Sequence, residues 1–420
     1  MPRSTSPVAA PPGSATLAAL LDSRAARRLL WAVAAVLWTL MVVIQIRRAN
    51  PLGWLDLRVY RDSVHQFFDG RPLYDIHVTE VRLPFTYPPV AIYLLAPLAW
   101  LPFPVAAGGL LVANGLLLLA TCWACLRTLS GGRPVLGAAA ALAGAALFLE
   151  PVWSTLNFGQ VDLLLMAAVT LDVLVVPARF RGILTGLLAA VKLTPLVFLL
   201  LFVLRRDWGA MRRLVGTFGV LTAVAFVVLP HESTFYWLHA LRDPRRIGPP
   251  AYVGNLSTYG ALLRMLGDSG MAHVLWLLVS AAVLVVTAVV VRRSVALGHR
   301  VGPLALVALA GLLCSPISWD HHWVWMVVLA LAATELWAWS RPAAWLAMVL
   351  VLATGLLQPK RIELGQKAGT WPGYQRLLIS NVWILLAYAL LAVLLVATVR
   401  IRPEVGMAVE PATDPGRQRV

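Results

Sequence analysis

Apolar runs of about 18 residues recur along this chain, separated by short polar breaks, from residue 29 almost to the end. Such runs leave few folds open. In lipid every backbone N–H and C=O must find a partner within the protein, so an α-helix is the element that can carry them. Composition agrees: 60% of residues are hydrophobic and 13% charged, whereas a soluble domain is about a quarter charged. The expected fold class is all-α, a polytopic integral membrane protein. The runs at 29–46, 104–126, 134–150, 160–177, 212–230, 271–291, 301–314, 319–338, 342–357 and 378–399 predict about ten full spans.

Two further stretches are irregular. Residues 88–102, "PPVAIYLLAPLAWLP", carry four prolines and read as interfacial or re-entrant. Residues 183–204 are long enough to span, but "VKLTP" interrupts them. The short loops 127–133, 178–181, 205–213 and 292–300 each hold at least two Arg, while 151–159 and 315–318 hold no Lys or Arg. Placing the first set inside and the second outside satisfies the positive-inside rule. It requires 183–204 to enter and leave on one side as a broken hairpin, with Lys192 in a cavity; a simple crossing is the alternative. Both termini are then cytoplasmic. The expected domains are a cytoplasmic segment 1–28, a transmembrane unit 29–401 with external loops 47–103, 231–270 and 358–377, and a tail 402–420.

The net charge of +16 raises the question of nucleic acid. Its distribution argues against it, because the basic residues lie between apolar runs, where they set orientation and meet headgroups. Cys122 and Cys125 form C-x-x-C, but inside "LLLLATCWACLRTL" with no second pair. With Cys314 they read as small residues of membrane helices.

Ionisable residues collect on the predicted outer side. Asp56 follows the first span by about ten residues. It reads as a general base or as a surface partner of Arg58 or Arg61. Glu150, Gln160 and Asp162 lie at the ends of two spans, as functional groups or helix caps. Lys192 must snorkel, pair or face water, so its partner is an anionic phosphate or Asp162. Asp320, His321 and His322 open an apolar run. The zinc spacings are missing there, so a phosphate contact or orientation of the catalytic carboxylate is expected and no metal or other cofactor. Asn255, Ser257 and Tyr259 are candidates for sugar hydroxyls, and Lys360, Arg361, Lys367 and Arg376 for a phosphate or headgroups. Neither GxxxxGK[ST] nor GxGxxG occurs, which disfavours a nucleotide-sugar donor. Together these groups suggest chemistry on a lipid-linked phosphate with a hydroxyl acceptor.

"DLRVY" at 56–60, "GRPLY" at 70–74, "FTYPPVAIYLLAPL" at 85–98, "FGQVDLLLMA" at 158–167, "GLLAAVKLTPLVFLL" at 186–200 and "SPISWDHHW" at 315–323 occur in this order. The set resembles glycosyltransferase family 87, the polyprenol-phosphate-mannose-dependent mannosyltransferases, and within it those acting on phosphatidylinositol mannosides. The resemblance implies a GT-C architecture and an extracytoplasmic active site in the plasma membrane. It also implies α-1,2 transfer with inversion from polyprenyl-phosphate-mannose to a mannosylated phosphatidylinositol. It places the catalytic base on Asp56. Lys192, His322, Lys360, Arg361 and Lys367 are then expected at the donor phosphate. Arg58, Tyr60, Tyr87, Gln160, Asp162, Asn255, Ser257 and His321 are expected around the substrates. Two alternatives use the same parts: a glycosyltransferase with another lipid-linked sugar or acceptor, and a polyprenyl-phosphate-sugar transporter.

Overall fold

The computed structural model describes residues 23–47, 53–79, 82–359 and 378–400. The chain begins with α1 (Arg24–Arg47) and α2 (Leu55–Phe68). A small antiparallel ribbon follows, β1 (His77–Val78) against β2 (Leu83–Pro84), with His77 opposite Pro84. Then come α3 (Ala91–Trp100), α4 (Phe103–Leu129), α5 (Leu136–Ala146), α6 (Glu150–Phe158), α7 (Asp162–Leu174), α8 (Ile183–Val191) and α9 (Leu199–Leu204). The second half holds α10 (Trp208–Val228), α11 (Pro230–Leu238), α12 (Thr258–Leu266), α13 (Gly270–Ala296), α14 (Val301–Cys314), α15 (Met326–Trp339), α16 (Arg341–Leu356) and α17 (Val382–Arg400).

Among the described residues, six helical stretches are long and apolar enough to cross a membrane: most of α1, then α4, α10, α13, Asp320–Trp339 and α17. The count becomes seven if α5 and α6, bent by 78°, form one span. Side chains such as Val220, Val224 and Val227 of α10 and Leu277, Leu278 and Val285 of α13 point outward. A water-facing helix would be polar there, so these faces belong in lipid. The chain is an all-α polytopic membrane protein. The expectation of about ten full spans is not met by length. The run at 134–150 bends after Ala146, the run at 160–177 yields the 13-residue α7, and α14 and α16 have 14 and 16 residues. The reason is visible in α14, where every residue from Val301 to Ala310 is buried. A helix enclosed by protein reads as continuously apolar as one enclosed by lipid.

The segment 183–204 breaks where the sequence suggested. α8 stops at Val191, Lys192 is extended (φ −145°, ψ 128°), and a 3-10 turn covers Thr194–Phe198. Its two ends meet. Arg181 pairs with Asp207 at 3.1 Å, and the Arg213 guanidinium donates to the Arg181 carbonyl at 2.7 Å. The segment is therefore a hairpin that returns to the end of the bundle it left. Close packing holds it: a Cβ on Gly186 would lie 2.5 Å from the Leu214 carbonyl of α10, and one on Gly182 would overlap the Ala210 carbonyl. Small residues four apart permit such backbone approach.

Two acidic residues, the buried Asp172 and the half-buried Glu335, anchor the same end. Asp172 accepts from the backbone N–H groups of Gly182 (2.9 Å) and Thr185 (3.1 Å), opening α8. Glu335 accepts from the N–H groups of Arg300 (2.8 Å) and Gly302 (2.6 Å), opening α14. Both satisfy orphan donors at helix starts. The long loops meet one another at the other end. Leu73 N–H donates to Glu232 Oε1 at 3.1 Å, Arg246 to the Tyr74 carbonyl at 2.8 Å, and Arg264 to Asn381 Oδ1 at 2.5 Å.

The hairpin has a direct test. With the native cysteines replaced, single cysteines at the exposed positions Arg179 and Arg206 should react with a membrane-impermeant maleimide from the same face of sealed vesicles. Labelling from opposite faces would mean a full crossing.

Candidate active site

The site is built from breaks in helices. α2 starts after Gly53 (φ 56°) and Trp54 (φ 60°), both left-handed. For tryptophan this conformation is strained, and it puts Asp56 in the first turn of α2. Gly159 (φ 69°) ends α6 and turns the chain sharply into Gln160 and Asp162. A Cβ there would lie 2.8 Å from Leu57 Cβ and 3.1 Å from the Trp54 ring. Glycine is thus required both by its backbone and by the contact that sets Gln160 beside Asp56. Lys192 comes from the hairpin break, and His321 and His322 from the 3-10 turn Asp320–Trp325.

These breaks face one cavity of about 480 Å³, the size of a ligand site. Asp56, Tyr60, Tyr87, Gln160, Lys192 and His322 are among its walls. On one side Tyr60 donates to Gln160 Oε1 at 2.7 Å, and the Tyr60 and Tyr87 hydroxyls are 2.8 Å apart. Tyr87 also reaches Gln160 Oε1, at 3.2 Å. With its carbonyl so occupied, the Gln160 side chain lies beside the Asp56 carboxylate and favours its ionised form. Burial pushes the Asp56 carboxyl above the ordinary aspartate range, against the pull of His321, Gln160 and Lys192.

The cationic side centres on Lys192. Its Nζ lies 2.7 Å from Asp162 Oδ1, 3.2 Å from His322 Nε2 and 5.7 Å from the centre of the Tyr87 ring. An ammonium has three donors; two are taken, and one remains for the cavity. His322 Nε2 accepts from Lys192. Asp162 Oδ2 and both His321 ring nitrogens are buried with no hydrogen-bond partner among the described residues, and His321 Nδ1 lies 3.3 Å from Asp320 Oδ1. Asp162 Oδ2 and His321 Nε2 are 4.0 Å apart, too far to bond directly and close enough to share one hydroxyl oxygen. Asp162, His321 and His322 bring ligand atoms within 4.8 Å of one another. Lys192 bonds two of these three residues.

Other expected residues lie elsewhere. Asn255 is fully buried; it donates to the carbonyls of Pro250 (2.8 Å) and Pro316 (3.0 Å) and accepts from Ser318 N–H (2.8 Å). Ser257 donates to the Pro316 carbonyl and caps α12 through Gly260 N–H. Both stitch the loop 250–257 to 315–318 and leave no polar atom for a sugar. Arg58 bonds the Gly53 carbonyl at 2.6 Å and covers the Phe103 ring, outside the cavity. Lys360, Arg361 and Lys367 lie outside the described residues. Among the walls that sequence reasoning missed are Arg246, Tyr252 and Trp319. The run "RDPRRIGPP" at 242–250 was the available signal for Arg246.

Comparison with known proteins identifies the family. The family model described as glycosyltransferase family 87 matches residues 85–316. A polyprenol-phosphate-mannose-dependent alpha-(1-2)-phosphatidylinositol mannoside mannosyltransferase of Mycobacterium tuberculosis is 35% identical, over 93% of this chain and 96% of the relative. The protein of the same description from Mycolicibacterium smegmatis is 35% identical over 74% and 78%. A phosphatidylinositol pentamannoside mannosyltransferase of Mycobacterium tuberculosis is 33% identical over 76% and 77%. No solved structure matches. The family match covers more than half of the chain, and the first relative matches it nearly end to end; the chain belongs to glycosyltransferase family 87.

Proposed function

We propose that this protein transfers mannose from a polyprenol-phosphate-mannose to a phosphatidylinositol mannoside, forming an α-1,2 bond with inversion. The observation that carries the reading is one cavity with a raised-pKa carboxylate, Asp56, on one side and a lysine with one open donor, Lys192, on the other. The printed activities of the relatives supply the substrates.

In this reading the acceptor 2-hydroxyl attacks the donor's anomeric carbon from the face opposite the phosphate. The new C–O bond forms as the bond from the anomeric carbon to the phosphate oxygen breaks. The hydroxyl proton passes to Asp56, and the electron pair leaves on the polyprenyl phosphate. Gln160 holds Asp56 in place. The free Lys192 donor meets the phosphate, whose charge needs stabilisation rather than a proton. Asp162 and His322 aim that lysine. Lys192 supplies cationic charge for the leaving phosphate.

The same reading sets the protein in the plasma membrane with the cavity outside, because the opposite end carries Arg181, Arg205, Arg213 and Arg300. It takes α1, α4, α5 with α6, α7, α10, α13, α14, α15, α16 and α17 as about ten crossings, with α8 and α9 as the hairpin. Residues 1–28 and 402–420 are then cytoplasmic.

Purified protein in lipid, given donor and a mannosylated phosphatidylinositol, should add one hexose by mass spectrometry. Asp56→Asn should cut the rate about 10²–10⁴-fold, the usual share of a general base, while still binding donor. Undiminished transfer by the variant excludes Asp56 as the base. The pH profile supplies a second check. The base must be ionised, and burial raises its pKa, so activity should fall with acidification above the ordinary aspartate range. Gln160→Leu, which removes a group that favours the ionised form, should move that acid limb to higher pH. A limb unmoved by the substitution would contradict the Gln160–Asp56 contact.

A further inference from the structure

Beside the main cavity lies a second, of about 320 Å³. The two share Asp243, Pro244 and Pro249, so one strand of loop divides them. The second is lined by a chain of polar groups. Arg245 pairs with Asp268 at 2.5 Å, His273 Nε2 is 3.8 Å from Asp268 Oδ1, and the Tyr259 hydroxyl is 2.9 Å from His273 Nε2. Tyr259 is buried, and its ring lies 5.0 Å from that of Trp276. Arg242 and Asp243 complete the polar rim.

The charges of this pocket balance: Arg242 and Arg245 against Asp243 and Asp268. A balanced wall of carboxylate, imidazole, guanidinium and phenol offers both donors and acceptors. It suits a neutral polyol better than a phosphate. We propose that this pocket is a second carbohydrate subsite, holding mannose units of the acceptor that do not react. This rests on the transferase reading above. An acceptor carrying several sugars puts only its terminal one beside Asp56, and the next ones must lie along an adjoining surface. The pocket across the loop at 243–249 is that surface. It uses remote contacts to select long acceptors, as binding energy away from the reacting atoms does in general.

The test compares two acceptors in Asp268→Ala and Arg242→Ala proteins. Octyl α-mannoside ends at the main cavity, whereas a mannosylated phosphatidylinositol with several mannoses reaches the second pocket. KM for the long acceptor should rise about tenfold, the worth of one or two lost hydrogen bonds, with kcat and the mannoside KM unchanged. Equal effects on both acceptors, or none on either, would overturn the subsite. Binding of soluble mannotriose, followed by tryptophan fluorescence, separates this from the catalytic reading. Mannotriose binding weakened about tenfold by Asp268→Ala supports the subsite even if wild type transfers no mannose. Binding indifferent to that substitution removes it.

Discussion

The pair between Lys192 and Asp162 holds the site together. A lysine buried between apolar helices costs several kcal/mol unless it is compensated. Here the compensation is a carboxylate at 2.7 Å, in the first turn of α7, and an imidazole at 3.2 Å. Asp162 is available because Gly159 ends α6 and redirects the chain. Lys192 is available because the hairpin breaks. Neither break is stable alone, since each leaves backbone and charge without partners at depth. Joined, they form one wall of the cavity and leave a single ammonium donor free.

The two ends of the bundle then divide the work. At one end Asp172 and Glu335 cap buried helix starts, and Arg181–Asp207 closes the hairpin. Those contacts tie the ends of the hairpin that carries Lys192 to its neighbours. At the other end the long loops brace one another through Asn255, Arg264 and Glu232. That lattice supports the aromatic walls, Tyr252 and Trp319, whose rings sit 6.1 Å apart. Sugar rings present apolar C–H faces to such surfaces.

Much of the site was legible in the sequence because charge inside an apolar run is conspicuous. Asp56, Lys192, Asp162 and the histidine pair all violate their surroundings, and all reach one region. The partner of Lys192 was also legible as an alternative to phosphate, and the geometry accommodates both. Asn255 and Ser257 misled because an amide or hydroxyl looks the same whether it faces a sugar or a proline carbonyl. Arg246, Tyr252 and Trp319 escaped because tertiary folding of the loops, not local pattern, brings them inward. Span lengths were misjudged because hydropathy does not distinguish lipid from the buried neighbours of α14.

The central claim is that Lys192, aimed by Asp162 and His322, binds the donor phosphate. Calorimetric titration of polyprenyl-phosphate-mannose tests it most directly, with wild type, Lys192→Gln and Asp56→Asn in the same lipid. Loss of a charged hydrogen bond should weaken donor binding by Lys192→Gln about 10–100-fold and leave Asp56→Asn close to wild type. Wild-type affinity in a folded Lys192→Gln protein would contradict the account and move the phosphate to the basic loops.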